Sequence, residues 1–400
     1  MGNAQTFRIL TINSGSSSIK FSLYEMGEDE RRLLSGSLEQ LGSKNGLFHA
    51  EDRHGKTLIR EPRDLPAHAA ALSALFDWLQ RQGLDKGLEA VGHRLVHGGA
   101  EFREAHLVTK ELLVKVTALC PFAPDHLPHE IEAIRAFAER FPALRQVACF
   151  DTAFHRQMPE RATIYPLPRQ LELEGVMRYG FHGLSYEYIL GELRRQAGPA
   201  ADGRVIIAHL GNGASMAAIQ RGQSLDTTMG FTPAGGLVMS TRSGDLDPGV
   251  IVYLIKEKGM GSAQINDLVN HDAGLLGVSG TSQYMKDLLA SEGTDARAAL
   301  AVDLFCYQAK KFIGALAAVL GGLETLIFTG GIGENAPVIR ERICAGAEFL
   351  GIRFDSARNA ANAGIISRDD SPVCVRVMKT NEELMIARHV CRVVCGQPNP

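Results

Sequence analysis

Apolar residues fall in continuous or alternating runs at 8–12, 19–24 and 33–38, separated by polar and glycine-containing turns, and each run predicts a β-strand. The period then changes. In AHAAALSALFDWLQ, Leu72, Leu75, Phe76 and Leu79 stand at i, i+3, i+4 and i+7, which predicts an amphipathic helix. HEIEAIRAFAERF repeats that spacing with Ile131, Ile134, Phe137 and Phe141. LRQVACFDTAFH reads as a buried strand running out into polar residues, so Asp151 stands at a strand's carboxyl end, where open α/β sheets place their ligands. A second strand–turn–strand begins at 205. A helix over 302–320 carries Val302, Phe305, Ala309, Phe312, Leu316 and Leu320 on a broad apolar face, and the strand LETLIFTGG and a helix–strand tail follow it. Three early strands and then α/β alternation, twice over, predict an α/β protein of two domains. The expected division is 1–150 plus a returning last helix, 383–400, against 151–382.

Two stretches share one shape: ILTINSGSSSIKFSLY at 9–24 and VIIAHLGNGASMAAI at 205–219 are each apolar strand, Gly/Ser/Asn turn, apolar strand. A third glycine run, LIFTGGIGEN at 326–335, follows an apolar strand and leads toward a helix. Glycine lets backbone N–H groups approach an anion closely, and hydroxyls with a lysine add donors. The repeated unit therefore predicts a nucleotide-dependent phosphotransferase in which each copy holds part of one polyphosphate. The first turn, from Asn13 through Ser16 and Ser18 to Lys20, offers neutral and charged donors to phosphate, whereas an ordinary two-residue hairpin turn uses Asn-Gly or Asp-Gly. The second, His209-Leu210-Gly211-Asn212-Gly213, reads alone as either a tight turn or a ligand loop, and its pairing with the first favours the ligand. The GxxxxGK[ST] spacing is absent, which argues against a P-loop enzyme.

Composition narrows the alternatives. The chain has 400 residues, 45% hydrophobic and 22% charged, as expected of two soluble globular domains. A net charge of -3 with scattered Lys and Arg gives no electrostatic case for nucleic acid. No run reaches the roughly 20 apolar residues of a membrane span, and the polar start MGNAQTFR lacks a signal-peptide core. Seven cysteines, odd in number and mostly within apolar runs, predict reduced thiols and a cytoplasmic protein. Cys391 and Cys395 form the one pair whose spacing gives a faint metal or redox signal, and packing explains it as well.

Two arginines stand among apolar or Gly/Ser neighbours: Arg94 in VGHRLVHGG and Arg242 in STRSGDLDPG. A buried guanidinium needs an anionic partner, either a structural carboxylate or a bound phosphate or carboxylate clamped through two N–H groups. The 13 histidines invite a metal reading, and His93 and His97 stand four apart. No HExxH or Cys/His ligand pattern completes a zinc site, so most of them read as ordinary hydrogen-bonding residues. His182, in RYGFHGLS, is the one best placed for a transferring phosphoryl group.

Eight motifs in this order, NSGSSSIKF, HRLVHGG, FDTAFH, YGFHGLS, HLGNGAS, TRSGDLDPG, TGGIGEN and TNEELMIA, resemble those of the acetate kinases over nearly the whole chain. The resemblance implies two duplicated ribonuclease-H-like domains of the actin-like ATPase superfamily around a nucleotide cleft, and a homodimer assembled through the second domain. It implies reversible phosphoryl transfer between ATP and acetate, giving ADP and acetyl phosphate, with Mg²⁺ or else Mn²⁺. Carried over by position, Asn13 and Glu382 match metal-associated residues. Lys20, Ser16 and Ser18 match the first phosphate loop. Arg94 matches a substrate-binding and catalytic arginine, Asp151 the catalytic aspartate, and His182 and Arg242 the transition-state stabilisers. His209–Gly213 and Gly331-Ile332-Gly333-Glu334-Asn335 match nucleotide loops. Val96, His126, Phe181 and Pro233 match the substrate pocket. Because a carboxylate nucleophile is already ionised at pH 7, Asp151 is expected to orient Arg94, Arg242 or a metal-bound water, not to act as a base.

Two positions depart from the family's pattern. Asp125 stands where an apolar residue normally lines the pocket for the acetate methyl, and its charge would oppose a carboxylate substrate unless it turns away. Tyr284-Met285-Lys286 replaces Asp-Met-Arg or similar at the nucleoside, where Tyr284 can stack on a base. Three alternatives to an acetate kinase remain at this stage: a propionate or butyrate kinase, an actin- or Hsp70-like nucleotide switch, and a metal hydrolase.

Overall fold

A computed structural model describes residues 6–15 and 17–396, so Ser16 of the first turn lies outside the described residues. The chain divides into two compact units, residues 1–153 with 381–400 and residues 154–380. The expected boundaries at 150 and 382 lie within a few residues of these, and the shift assigns Asp151 and Glu382 to the first unit together with Arg94.

The first unit is built on an eight-stranded sheet. Strands β1 (Phe7–Ser14), β2 (Ser18–Met26), β3 (Glu30–Glu39), β4 (Ser43–Asp52) and β5 (Thr57–Leu65) form an antiparallel meander. Strands β6 (Ala90–Leu95) and β8 (Arg145–Phe150) extend it in parallel from β1, and the two-residue β7 (His106–Leu107) closes the far edge, giving the order β5-β4-β3-β2-β1-β6-β8-β7. One face packs on the helices His68–Arg81 and Leu127–Arg140, where Leu72, Leu75, Trp78 and Phe137 meet Leu10, Ile12, Phe21 and Val91. Trp78 anchors this core, with ring centroids 5.8 Å from Phe21 and 5.5 Å from Phe48. On the opposite face the helix Glu382–Cys395 crosses β1, β2 and β6. Gly92 of β6 makes that crossing close: a Cβ there would lie 2.5 Å from methyls of Ile386 and Val390.

Strands β4 and β5 are absent from the sequence-based expectation. In β4 only Phe48 and Ala50 point steadily inward, and β5 (TLIREPRDL) is charged and mostly exposed, so neither carries the apolar alternation that marks a half-buried strand. The last helix begins at Glu382, capped by Asn381, whose side-chain oxygen accepts from the Leu384 N–H at 3.0 Å.

The second unit holds a five-stranded sheet. Strands β9 (Val205–Leu210), β10 (Ala214–Gln220) and β11 (Gln223–Thr227) are antiparallel neighbours, and β12 (Thr325–Thr329) and β13 (Cys374–Val377) follow in parallel, in the order β11-β10-β9-β12-β13. The helix Gly183–Ala197 covers one face through Tyr186, Ile189 and Leu193 against Val205, Ile207, Ala217 and Ile327. The helix Ala296–Leu320 packs on β9, β10 and β11. It starts earlier than its apolar stripe suggests because Asp295 caps it, accepting from the Arg297 N–H at 2.9 Å. Phe312, expected on the buried stripe, is only half-buried, and Ile313 takes the inward position. The run β3-β2-β1-β6-β8 of the first sheet has the same sense and order as the whole second sheet, so the duplicated hairpins are the structural centres of two like α/β units.

Candidate active site

In the first unit, β1, β6 and β8 run side by side in parallel, and their carboxyl ends carry Asn13, Arg94 and Asp151. Asn13 stands directly across the hairpin from Lys20, and the turn between them is closed by the Gly15 N–H donating to the Ser18 carbonyl at 2.8 Å. Asp151 is 1% exposed and accepts from two nitrogens of Arg94, Nε at 3.0 Å and Nη2. Arg94 Nη1 donates to Asn13 Oδ1 at 3.2 Å. Burial works against the Arg94 cation, but the Asp151 charge and hydrogen bonds, with Glu382 and Glu130 behind them, hold it protonated above arginine's usual range. The expectation that Asp151 orients an arginine thus has a geometric basis in the Arg94 pair.

Three carboxyls surround that one guanidinium. Glu382, in the first turn of the last helix, has its pKa raised to about 7, by desolvation first and by the Asp151 and Glu383 charges against the pull of Arg94 and Lys20. Glu130 is 1% exposed in the first turn of the helix Leu127–Arg140, and burial pushes it up to about 8. Its Oε2 accepts from the Val96 N–H at 2.9 Å. Glu130 does not stand out in the sequence reading, although a signal exists: it precedes Ile134 and Phe137 by four and seven residues and so shares their apolar stripe. Val96 is buried, His126 immediately precedes the same helix, and Asp125 is half-buried with its charge acting on His129. His93, read as an ordinary histidine, bonds Gln146 through Nε2 at 2.8 Å and is pushed down to about 4 by burial.

The second unit assembles a different set. His182 caps the helix Gly183–Ala197 from a left-handed backbone (φ 59°), and its Nδ1 lies 2.8 Å from Ser215 Oγ on β10. Tyr186 Oη bonds the same Ser215 hydroxyl. Ser215 is paired across the hairpin with His209, and the His182 and His209 rings stack at 4.3 Å. His209 Nδ1 in turn reaches Ser185 Oγ at 2.8 Å, and Ser185 reaches Thr380 Oγ1 at 2.8 Å. Gly213 lets the turn come this close, since a Cβ there would sit 3.1 Å from His182 Nε2 and 3.6 Å from Arg242 Nη1. Arg242 donates to the Pro233 carbonyl at 3.3 Å, and its loop is tied to the hairpin by the Ser240 N–H donating to the Asn212 carbonyl at 3.1 Å. The structure therefore brings His182, His209–Gly213, Pro233 and Arg242 into one neighbourhood.

The glycine run after β12 forms the short helix Gly330–Asn335, beside His209 through the Thr329 pairing. Glu334, expected to face nucleotide, turns Oε1 into its own loop, accepting from the N–H groups of Gly330 at 2.9 Å and Thr380 at 3.1 Å. Asn335 Nδ2 donates to the Gly331 carbonyl, while Ile332 is half-buried and Gly333 buried. Arg340, unnoticed in the sequence, is fully buried and holds this loop from below, donating to the carbonyls of Gly333 at 2.8 Å and Glu334 at 3.0 Å and to Asn359 and Asn362. Phe181, Leu210 and Met285 are buried, so Leu210 and Met285 present no exposed side chain. Tyr284 and Lys286 are exposed. Among the described residues no three His, Cys, Asp or Glu side chains group as metal ligands.

A family model described as the Acetokinase family matches residues 8–388. The chain is 48% identical over 397 residues to the acetate kinase of Rhodopseudomonas palustris strain TIE-1, covering 97% of this chain and 98% of that protein. It is 41% identical to the acetate kinase of Bacillus cytotoxicus, over 96% and 98%. Among solved structures, Porphyromonas gingivalis acetate kinase superposes with a TM-score of 0.88 at 39% identity, covering 97% of this chain and all of that one. A propionate kinase from Francisella tularensis gives 0.89 at 35% identity, over 96% and 98%. With its two like α/β units and these full-length matches, the chain belongs to the acetokinase family.

Proposed function

We propose that this protein is a cytoplasmic acetate kinase, catalysing the reversible transfer of the ATP γ-phosphoryl group to acetate to give acetyl phosphate and ADP. The observation that carries this reading is the state of Arg94. A guanidinium has five N–H groups; Asp151 and Asn13 take three, which leaves two held in a fixed direction for an anion. Phosphoryl transfer asks the protein mainly for positioning and charge stabilisation, and the acetate carboxylate needs no general base. Asp151 accordingly acts as the orienter of Arg94, and Arg94 binds the carboxylate and the transferring phosphoryl. His182, with Nδ1 fixed by Ser215, and Arg242 donate to the charge that develops in the transition state. Lys20 with the Ser18 turn, the His209–Gly213 turn and the Gly331–Asn335 loop take the nucleotide's phosphates and sugar, with Tyr284 and Lys286 at the base. Val96 and His126 of the first unit, and Phe181 and Pro233 of the second, are the residues that contact the acetate in this reading.

A magnesium ion, or manganese in its place, fits the first unit. Asn13 Oδ1 and the Glu382 carboxyl are hard oxygen donors, and the buried Oδ1 of Asp151, without a hydrogen-bond partner among the described residues, offers an acceptor for a water that such an ion carries. Held there with the nucleotide, such an ion would neutralise charge on the phosphates. In the second unit the helix Pro248–Lys258 has no buried residue and exposes Val250, Val252, Tyr253 and Ile255, a patch that supports a homodimer. Among the described residues no helix is long and apolar enough to cross a membrane, and all seven cysteines are free thiols, which suits a reducing compartment.

The test is ADP release with Mg-ATP and formate, acetate, propionate or butyrate, corrected for the carboxylate-free rate. Strong turnover with acetate, falling with chain length, is the expected result. A maximum at propionate or butyrate would rename the substrate, and slow hydrolysis indifferent to carboxylate would replace the kinase reading with a nucleotide switch.

A further inference from the structure

The Arg94–Asp151 pair leaves a carboxyl over. Glu130 is as buried as Asp151, yet the guanidinium it faces is already in contact with Asp151, so ionised Glu130 would be a second buried anion facing one cation. Its two oxygens are unequal. Oε2 is fixed by the Val96 N–H, just past the end of the strand that presents Arg94, while Oε1 has no hydrogen-bond partner among the described residues. A buried carboxylate oxygen without a donor is costly, and a proton on the group removes that cost.

We propose that Glu130 is a positioning residue that works as the neutral acid: it holds the Val96 amide, and with it the strand end between Arg94 and the acyl pocket, without placing negative charge where a carboxylate substrate must bind. The charged or titratable groups that face it are Arg94 from β6, Asp151 from the end of β8 and Cys120 from the preceding turn. Arg94 and the Val96 N–H favour ionisation; desolvation and Asp151 oppose it and prevail, keeping the proton on to about pH 8. Above that pH the same side chain keeps its hydrogen bond but turns its charge against the substrate. The acetokinase site would thus carry its own alkaline limit on carboxylate affinity, set by a residue that touches neither substrate nor nucleotide.

This inference rests on acetate being the substrate, and the experiment separates the two. The KM for acetate is measured from pH 6.5 to 9.5 for the wild type, Glu130→Gln and Glu130→Ala. The wild-type KM is expected to rise about tenfold above pH 8, as a like charge enters the pocket. Glutamine keeps an oxygen for the Val96 N–H and cannot ionise, so E130Q should rescue the neutral-pH KM and flatten the alkaline rise. E130A leaves the amide unpaired, and its KM at pH 7 should rise about tenfold. An alkaline rise in E130Q equal to that of the wild type would overturn the proposal. So would E130A and E130Q behaving alike at pH 7, and if E130A does not fold, the E130Q profile decides alone. Absence of acetate turnover by the wild type at pH 7 would instead overturn the kinase reading.

Discussion

The two units share one strand order, and the chemistry at the ends of their equivalent strands differs in kind. In the first, β1, β6 and β8 deliver charge: Arg94 held by Asp151, with Glu130 and Glu382 close enough to perturb it. In the second, the strand ends and the hairpin deliver a hydrogen-bonded relay, Tyr186 and His182 on Ser215 and then His209, Ser185 and Thr380, with Arg242 beside the turn. A buried charge cluster fixes direction through Coulomb forces, whereas a chain of hydroxyls and imidazoles fixes direction through hydrogen-bond geometry. A duplicated fold therefore does not oblige its two sites to use the same physics.

That contrast can be tested from its strongest consequence downward. Arg242→Ala should lower kcat at least about 10²-fold, the usual loss when a transition-state donor is removed. An effect confined to KM would make Arg242 a binding residue and leave the second unit without a catalytic charge. Asp151→Asn should cost about 10- to 100-fold in kcat by loosening Arg94, with the nucleotide KM little changed; near-wild-type turnover would remove Asp151 from the mechanism. The exposed helix Pro248–Lys258 sharpens the comparison from the outside. Val252→Asp should shift the protein from dimer to monomer in sedimentation, while a wild type that is itself monomeric would remove the proposed role of that face.

Ser215→Ala tests the hydrogen-bonded relay and should cost only about fivefold in kcat, because the hydroxyl shared by His182 and Tyr186 is lost while no charged group is removed from the site. The smallest effect concerns stability. Glu130 holds its proton to about pH 8 when folded, against 4.5 ordinarily, so the folded state binds more protons between those values. Its contribution is complete below pH 4.5 and fades as pH rises through 8. By calorimetry the melting temperature of Glu130→Gln, relative to the wild type, should be a few degrees more favourable at pH 9 than at pH 5. A difference independent of pH would mean that the Glu130 carboxyl is already ionised at neutral pH.

Much of the fold was legible because local pattern and burial agree. The stripe Leu72, Leu75, Phe76 and Leu79 is buried in the structure as its spacing requires, and the hairpins at 9–24 and 205–219 are the centres of the two sheets. Strands β4 and β5 were hidden because they face solvent too widely to need apolar alternation. Among the candidate residues of the two units, Arg94, Asp151, His182 and Arg242 stood out as polar residues in apolar or glycine-rich runs. Supporting residues such as Ser185, Thr380 and Glu130 did not, because the Ser185–Thr380 and Glu130–Val96 contacts form only through tertiary packing. Arg340 and Glu130 share a signal that periodicity can supply: each is a charged residue on a buried helical stripe, Arg340 beside Ile339 and Ile343. A charge in such a position marks a group whose partners the fold must provide.

The helix that closes over Gly92 follows the whole of the second unit in the chain. During synthesis every residue of the second unit, continuous from 154 to 380, is joined before residue 386 or 390, and the first unit is left with the groove along β6 uncovered until those residues follow. Assembly order is thereby written into connectivity: the unit made first is finished last. Until then Gly92 lacks the Ile386 and Val390 methyls that pack against it.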